Sequence, residues 1–209
     1  MMKATKKLLL LAALAVPTTV FANEGAHVDG YYIPTSKLDV DLGGGVSGDD
    51  DGDGFGVKGI VPFGRAQNFF LEGEYQSSSY DDFDVDLDQL RLGGGWQIPL
   101  QTGTLAIYGE YVDLQIDDVD ADLSGFGVHA RLAFPIARNV QIYGQGGYLS
   151  LDDHGTYDGF EFLVGASLDI TPNIGAFVDY RHTDLSGDVD YTLGDLRVGV
   201  RVLFDTSRM

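Results

Sequence analysis

The sequence predicts an all-β chain, a closed antiparallel up-and-down barrel of ten strands whose apolar face is turned outward to lipid. Three observations carry this. Apolar and polar residues alternate through ten segments, and in an extended chain successive side chains point to opposite faces. The connections between segments alternate strictly between short turns and longer aspartate-rich stretches. The apolar face carries aromatic residues at its ends, whereas the polar face collects Gly, Gln, Arg and Glu.

Ahead of the first strand, Lys3, Lys6 and Lys7 precede an apolar run from Leu8 to Val16, and Val20-Phe21-Ala22 has the form of a cleavage site. This is the pattern of a secretory signal peptide, predicted over 1–22, with the mature barrel domain over 23–209. The run stops at Pro17, short of the roughly 18 apolar residues that a spanning helix needs. Removing three lysines leaves ten basic against 32 acidic residues in 187, a net charge of −22, which repels nucleic acid. The chain has no cysteine, so disulfide bracing and thiol chemistry are excluded. Its 29 glycines come with 11% aromatics, too much apolar matter for a disordered acidic polymer.

The first strand places Val28, Gly30, Tyr32, Leu38, Val40 and Leu42 on one face, with a bulge or kink expected at Pro34. A Gly- and Asp-rich loop is expected from Gly43 to Gly54. The second strand shows Phe55, Val57, Val61 and Phe63 opposite Lys58, and the third sets Phe69, Leu71 and Tyr75 against Phe70, Glu72, Glu74 and Gln76. Beyond the acidic stretch Tyr80–Asp86, the fourth has Leu90, Leu92 and Trp96 opposite Gln89, Arg91, Gly93 and Gly95. The fifth opposes Leu105, Ile107 and Tyr111 to Ala106, Tyr108 and Glu110. After Asp117–Asp122 the sixth opposes Phe126, Val128, Ala130, Leu132 and Phe134 to Gly127, His129 and Arg131.

The seventh opposes Val140, Ile142 and Tyr148 to Gln141, Tyr143, Gln145 and Gly147. Asp152–Asp158 leads to the eighth, where Phe160, Phe162, Val164, Ala166, Leu168 and Ile170 face away from Glu161, Gly165, Ser167 and Asp169. Past Thr171-Pro172-Asn173, the ninth opposes Ile174, Ala176, Val178 and Tyr180 to Gly175, Phe177, Asp179 and Arg181. Asp184–Asp190 then reaches the closing strand, with Leu196, Val198, Val200, Val202 and Phe204 opposite Arg197, Gly199 and Arg201.

A soluble barrel alternates too, with its apolar face inward. Here the short turns around Gly64, Gly103, Ala137 and Pro172 fall at one end and the acidic stretches at the other. The outward face is uncharged through the strand centres, as hydrocarbon demands. Phe63, Phe69, Trp96, Phe134 and Phe204 form one aromatic belt and Tyr75, Tyr111, Tyr148 and Tyr180 the other, as at two bilayer interfaces.

These features resemble the small outer-membrane β-barrels of bacteria, the OmpA/OmpX-like group, over the whole mature chain; that group has eight strands, the alternative to ten. The closing strand ends on Phe204, similar to the segment that the barrel assembly machinery reads in that family. The resemblance implies an outer-membrane location, periplasmic termini, acidic extracellular loops, and lipid and lipopolysaccharide as neighbours.

For function, the inward Arg, Glu and aromatic residues are expected to pair and largely plug the lumen, since buried charges require partners. That favours a structural or surface-interaction barrel; the alternatives are a narrow gated channel for small solutes and a barrel-embedded hydrolase of omptin or lipid-modifying type. The omptin proteases use Asp-Asp and Asp-His pairs, which Asp84/Asp86 and Asp152/His154 imitate in a chain much shorter than theirs. No catalytic constellation is expected, and His129 is assigned to the lumen. Asp49, Asp51, Asp53 and Gly54 begin like a calcium loop, but Ile60 stands where a bidentate Glu is needed, which excludes an EF-hand. Weak Ca²⁺ or Mg²⁺ binding by the three aspartates, helping to anchor the rim to lipopolysaccharide, is the remaining expectation.

Overall fold

A computed structural model describes residues 26–41, 43–44, 47–64, 67–81, 83–116, 121–153, 155–187 and 189–204. The expected signal peptide and its cleavage site lie outside these residues, as does His154. Ten strands follow one another: β1 His27–Asp41, β2 Ser47–Phe63, β3 Phe69–Tyr80, β4 Val85–Leu100, β5 Gly103–Ile116, β6 Ala121–Ala137, β7 Val140–Asp153, β8 Gly155–Thr171, β9 Ile174–Ser186 and β10 Asp190–Leu203. Each pairs antiparallel with its neighbours in sequence, and β10 closes on β1. Closure leaves no free edge, so every strand finds both of its ladders without water.

The outward face is as the alternation predicts. Phe55, Leu92, Phe126, Phe160, Val164 and Val200 are exposed along the wall, while Phe70, Tyr108 and Phe177 are buried within. At the short-turn end, Leu100 pairs with Gly103 and Thr171 with Ile174, each across a two-residue turn. Thr171 Oγ1 accepts the Ile174 N–H at 3.0 Å and so closes the β8–β9 turn. Gly64 takes φ +90° in the β2–β3 turn, a conformation that side chains other than glycine rarely adopt.

Two expectations are corrected. The first concerns the face of β1. Its register shifts between Tyr32 and Thr35, where Pro34 removes a backbone donor, and this bulge reverses the alternation. Asp29, Tyr31 and Ile33 point inward before it, and Ser36 and Leu38 after it, so Leu38 lies inside and Lys37 and Asp39 outside. The second concerns the acidic stretches: those expected over Gly43–Gly54, Asp152–Asp158 and Asp184–Asp190 are more strand than loop. β2 already begins at Ser47, and β7 and β8 pair as far as Asp153 with Gly155. The two ends of the barrel therefore differ in chemistry more than in connection length.

The reason is an inversion of polarity along the barrel. Beyond the tyrosine belt the inside becomes apolar, with Leu38, Tyr80, Leu87, Val112, Leu114, Leu123, Leu149, Leu151, Leu185 and Leu193 packed as one buried cluster. The same rows turn Asp39, Asp86, Asp152, Asp158 and Asp184 outward. In hydrocarbon the wall is apolar outside and polar inside; past the interface it is built like a soluble barrel. The strands run about five residues past the tyrosines, or on the order of 15 Å at 3.3 Å per residue, before they turn.

Candidate functional site

The bilayer-level lumen holds the chain's buried charges, and the alternation puts them there. Glu74 on β3 is the hub. Arg181 on β9 donates to both its oxygens at 2.8 Å, Arg197 Nη1 on β10 to Oε1 at 2.7 Å, and Tyr31 Oη to Oε1 at 2.5 Å. Lys58 Nζ stands 3.6 Å from Glu74 and 3.5 Å from Glu72. Arg197 also donates to Asp179 at 2.6 Å, and Asp179 accepts the Tyr143 hydroxyl at 2.9 Å. Nearer the short-turn end, Arg201 grips Asp29 through two bonds of 2.8 Å.

A second group is built around Arg91 on β4. Its Nη1 donates to Glu110 at 2.8 Å and to Glu161 at 3.0 Å, and its Nη2 to Glu161 at 2.5 Å. His129 Nε2 lies 3.0 Å from Glu110, the ring stacks on Tyr108 at 5.0 Å, and Gln145 reaches both His129 and Glu161. The His129 ring occupies the space a Cβ at Gly147 would need, as Tyr31 does at Gly56, so small residues on one strand admit large ones from another. Arg181 and Arg91 share Gln89 as acceptor at 2.8 and 3.0 Å, which joins the two groups.

At the boundary with the apolar cluster, Ser36 donates to Asp195 at 2.6 Å and so accepts a hydrogen bond from the Tyr80 hydroxyl at 2.6 Å. Burial, then the Asp195 charge, push the Tyr80 phenol well above its ordinary pKa, so it remains a donor. Two cavities inside the lumen measure about 30 and 20 Å³, the first among Tyr31, Arg131, Tyr143 and Arg197, the second within the apolar cluster.

Glu110, His129 and Glu161 form, among the described residues, the one His/carboxylate group with ligating atoms within 4.8 Å of one another. Arg91 spans both carboxylates and supplies the positive charge a metal would bring. Parity alone placed each of the three inward; that they meet across the lumen has no signal in one sequence.

The expected cation ligands Asp49, Asp51 and Asp53 are exposed on the outer face of β2, where the sequence reading placed a loop. Alternate residues of a strand stand about 6.6 Å apart, so in this conformation one ion touches two neighbouring carboxylates at most. Lys37 pairs with Asp51 at 3.5 Å, and Tyr32 donates to Asp53 at 3.0 Å. Asp49 faces Asp39 across the β1–β2 ladder and lines, with Asp41, Asp158, Asp184 and Asp190, an outer hollow of about 770 Å³.

Of the protease-like pairs, Asp86 accepts the Ser79 hydroxyl at 2.6 Å and Asp152 that of Thr156 at 2.9 Å. His182, without an evident partner in the sequence, lies on the outer wall 4.8 Å from the Phe162 ring and 3.5 Å from Asp184. His27 is 3.9 Å from Asp29.

Among solved structures, the chain is similar to an outer-membrane channel of Pseudomonas putida F1, at 9% identity and a TM-score of 0.56 over 88% of this chain and 97% of that one. It is similar to the outer membrane protease OmpT of Escherichia coli at 10% identity and TM-score 0.54, over 90% of this chain and all of that one. The β domain of the Bordetella autotransporter BrkA gives 12% and 0.53, over 87% and 100%. At these identities the likeness is one of fold. No curated protein matches the chain significantly. The profile of the outer membrane protein beta-barrel domain matches residues 8–204, nearly the whole chain, and with the closed ten-stranded barrel it shows that the chain belongs to that family of bacterial outer-membrane proteins.

Proposed function

We propose that this barrel is a closed surface protein of structural or interaction type, which works through its acidic rim rather than by passing solutes. The observation that carries this is the lumen, blocked twice in series: by the ionic network at bilayer level and by the Leu/Val/Tyr cluster beyond it. An apolar plug repels ions, and a paired network offers no unpaired charge to relay them. In planar bilayers the purified barrel is therefore expected to give no conductance steps. Steady ohmic steps would overturn the reading in favour of the narrow channel.

The rim is the surface such a protein would present. The ends of the described chain, Ala26 and Phe204, lie with the short turns, at the end opposite the acidic hairpins: Phe204 N–H donates to the Ala26 carbonyl at 2.7 Å and Leu203 N–H to that of Asn173 at 2.9 Å. We place that end in the periplasm, where the barrel assembly machinery would read the closing strand, and the acidic hairpins at the cell surface beside lipopolysaccharide. Epitope tags at 117–120 or 187–189 are expected to bind antibody on intact cells. Tags at 101–102 or 172–173 are expected to bind only after the outer membrane is breached. Equal accessibility at both ends would sink this orientation.

A further inference from the structure

At the acidic end of the barrel, Tyr157 on β8 and Tyr191 on β10 form part of the top layer of the lumen. Both are partly buried against the Leu/Val/Tyr cluster, with ring centroids 5.7 Å apart and planes at 56° to each other. Strand β9 lies between their strands, and Tyr191 pairs with Leu185 across the β9–β10 ladder. Tyr157 belongs to the β7–β8 hairpin and Tyr191 to the β9–β10 hairpin, so the contact crosses from one acidic hairpin to the next. The Tyr157 ring occupies the space that a Cβ at Gly187 would need, and this fixes its seat. Among the described residues it is the one contact between two tyrosine rings.

We propose that Tyr157 and Tyr191 are an oxidative modification site, where hydrogen peroxide acting through a one-electron haem catalyst joins the two rings as dityrosine. Each phenol gives up one electron and one proton and becomes a phenoxyl radical. The radicals couple through a new bond between ring carbons ortho to oxygen. The hydrogens on those two carbons then move, as protons, to the oxygens and restore the hydroxyls. The two electrons and two protons released at the start reduce one hydrogen peroxide to two waters.

Three features single out this pair. The chain has no cysteine, and its methionines, Met1, Met2 and Met209, stand at the chain ends, so the strands offer no thiol or thioether to be oxidised first. Next, Asp153 on β7 acts on the same hydroxyl: burial, then Tyr157 and this carboxylate, push the Tyr191 phenol above its ordinary pKa. Tyr191 therefore keeps its proton at neutral pH, and Asp153 is placed to take it as the electron leaves. Finally, the rings are already held together, so coupling within one barrel outruns the meeting of radicals on separate barrels. The product ties the β7–β8 hairpin to the β9–β10 hairpin over the apolar cluster, and the closed mouth becomes covalent.

In the test, the purified barrel in detergent is treated with hydrogen peroxide and a small haem peptide, then digested. The expected product is a fused peptide that carries both Tyr157 and Tyr191, with dityrosine fluorescence in the monomer band of a denaturing gel. Tyr157→Phe and Tyr191→Phe are each expected to abolish it. Tyr32→Phe, which removes an exposed phenol from the outer wall, should leave the yield unchanged. Gly187→Ala displaces the Tyr157 ring without removing a phenol, and its yield is expected to fall severalfold. Heat-shifted gel migration establishes that the variants are folded. Dityrosine confined to cross-linked dimers, or monomer fluorescence that survives both Phe substitutions, would overturn the proposal. So would a Tyr157–Tyr191 pair left unjoined under conditions that convert free tyrosine to dityrosine.

Discussion

Glu74→Gln is expected to destabilise the barrel by about 3–5 kcal/mol, the cost of breaking a buried ion pair from one side. The substitution keeps the size and shape of the side chain and removes one charge. That charge is shared by Arg181, Arg197 and Lys58, and no other carboxylate is placed to take over all three. Arg197 keeps Asp179 and Lys58 keeps Glu72, whereas the Arg181 guanidinium, buried in the lumen, loses the carboxylate it grips through two bonds. Urea or thermal unfolding in detergent, followed by the shift between compact and unfolded forms on a gel, measures the loss. Asp53→Asn, on the exposed face of β2, should stay within about 0.5 kcal/mol of the unmodified protein. Equal stability for Glu74→Gln and the unmodified chain would mean that water fills the lumen and screens these charges.

The inversion of polarity explains why the lumen is closed twice. At bilayer level the outer face belongs to lipid, so charged residues have only the inside, where they must pair. Beyond the interface the outer face belongs to water, so most aspartates turn out and leucine fills the inside; Asp50 is buried and accepts the Phe83 N–H at 2.8 Å. Each level satisfies its own surroundings, and the blocked lumen follows from both. The rim is rigid for the same reason: its aspartates sit on paired strands over a packed core. A rigid carboxylate-lined surface suits recognition better than a loose fringe of loops would.

Much of this was legible in the sequence. Strand number, the outward rows of β2 to β10 and the inward Arg/Glu set all follow from period-two alternation, because a residue's face depends on parity alone. What parity cannot carry is distance along the strand. The alternation therefore gave no place to Leu87, Leu114 and Leu151, which form a separate core at a different height. Aspartate runs such as Asp49 to Asp53 read as loop because Asp and Gly are poor strand formers, yet pairing with β1 and β3 overrides that preference. Pro34 was a visible signal of the β1 bulge; the extra step was that a bulge of this kind exchanges the two faces beyond it. The contacts of Arg91 with Glu161 and of Arg181 with Glu74 cross the lumen between distant strands, and they depend on barrel diameter and stagger, which no local pattern encodes.

Val200→Arg is expected to block or slow assembly, with an equilibrium cost of about 2–4 kcal/mol for an arginine at the bilayer midplane. Val200 is half exposed on β10, in the outward row Leu196, Val198, Val200, Val202, and pairs with Gly30 and Ala176 on the strands beside it. Those small neighbours leave the new guanidinium no protein group to reach, so its charge faces hydrocarbon. The neighbouring inward position is no neutral control, because a side chain at Gly199 would press on the Phe177 ring and the Gly30 carbonyl. Val200→Leu is the better comparison, since it changes shape on the lipid side while keeping the face apolar. The readout is the fraction of protein in the heat-shifted folded form in outer-membrane extracts, with refolding into lipid vesicles as the equilibrium measurement. Val200→Leu should match the unmodified chain and Val200→Arg should fall well below it. Equal folding of the two would mean that this row does not meet hydrocarbon, and the closing strand would have to be set against protein instead.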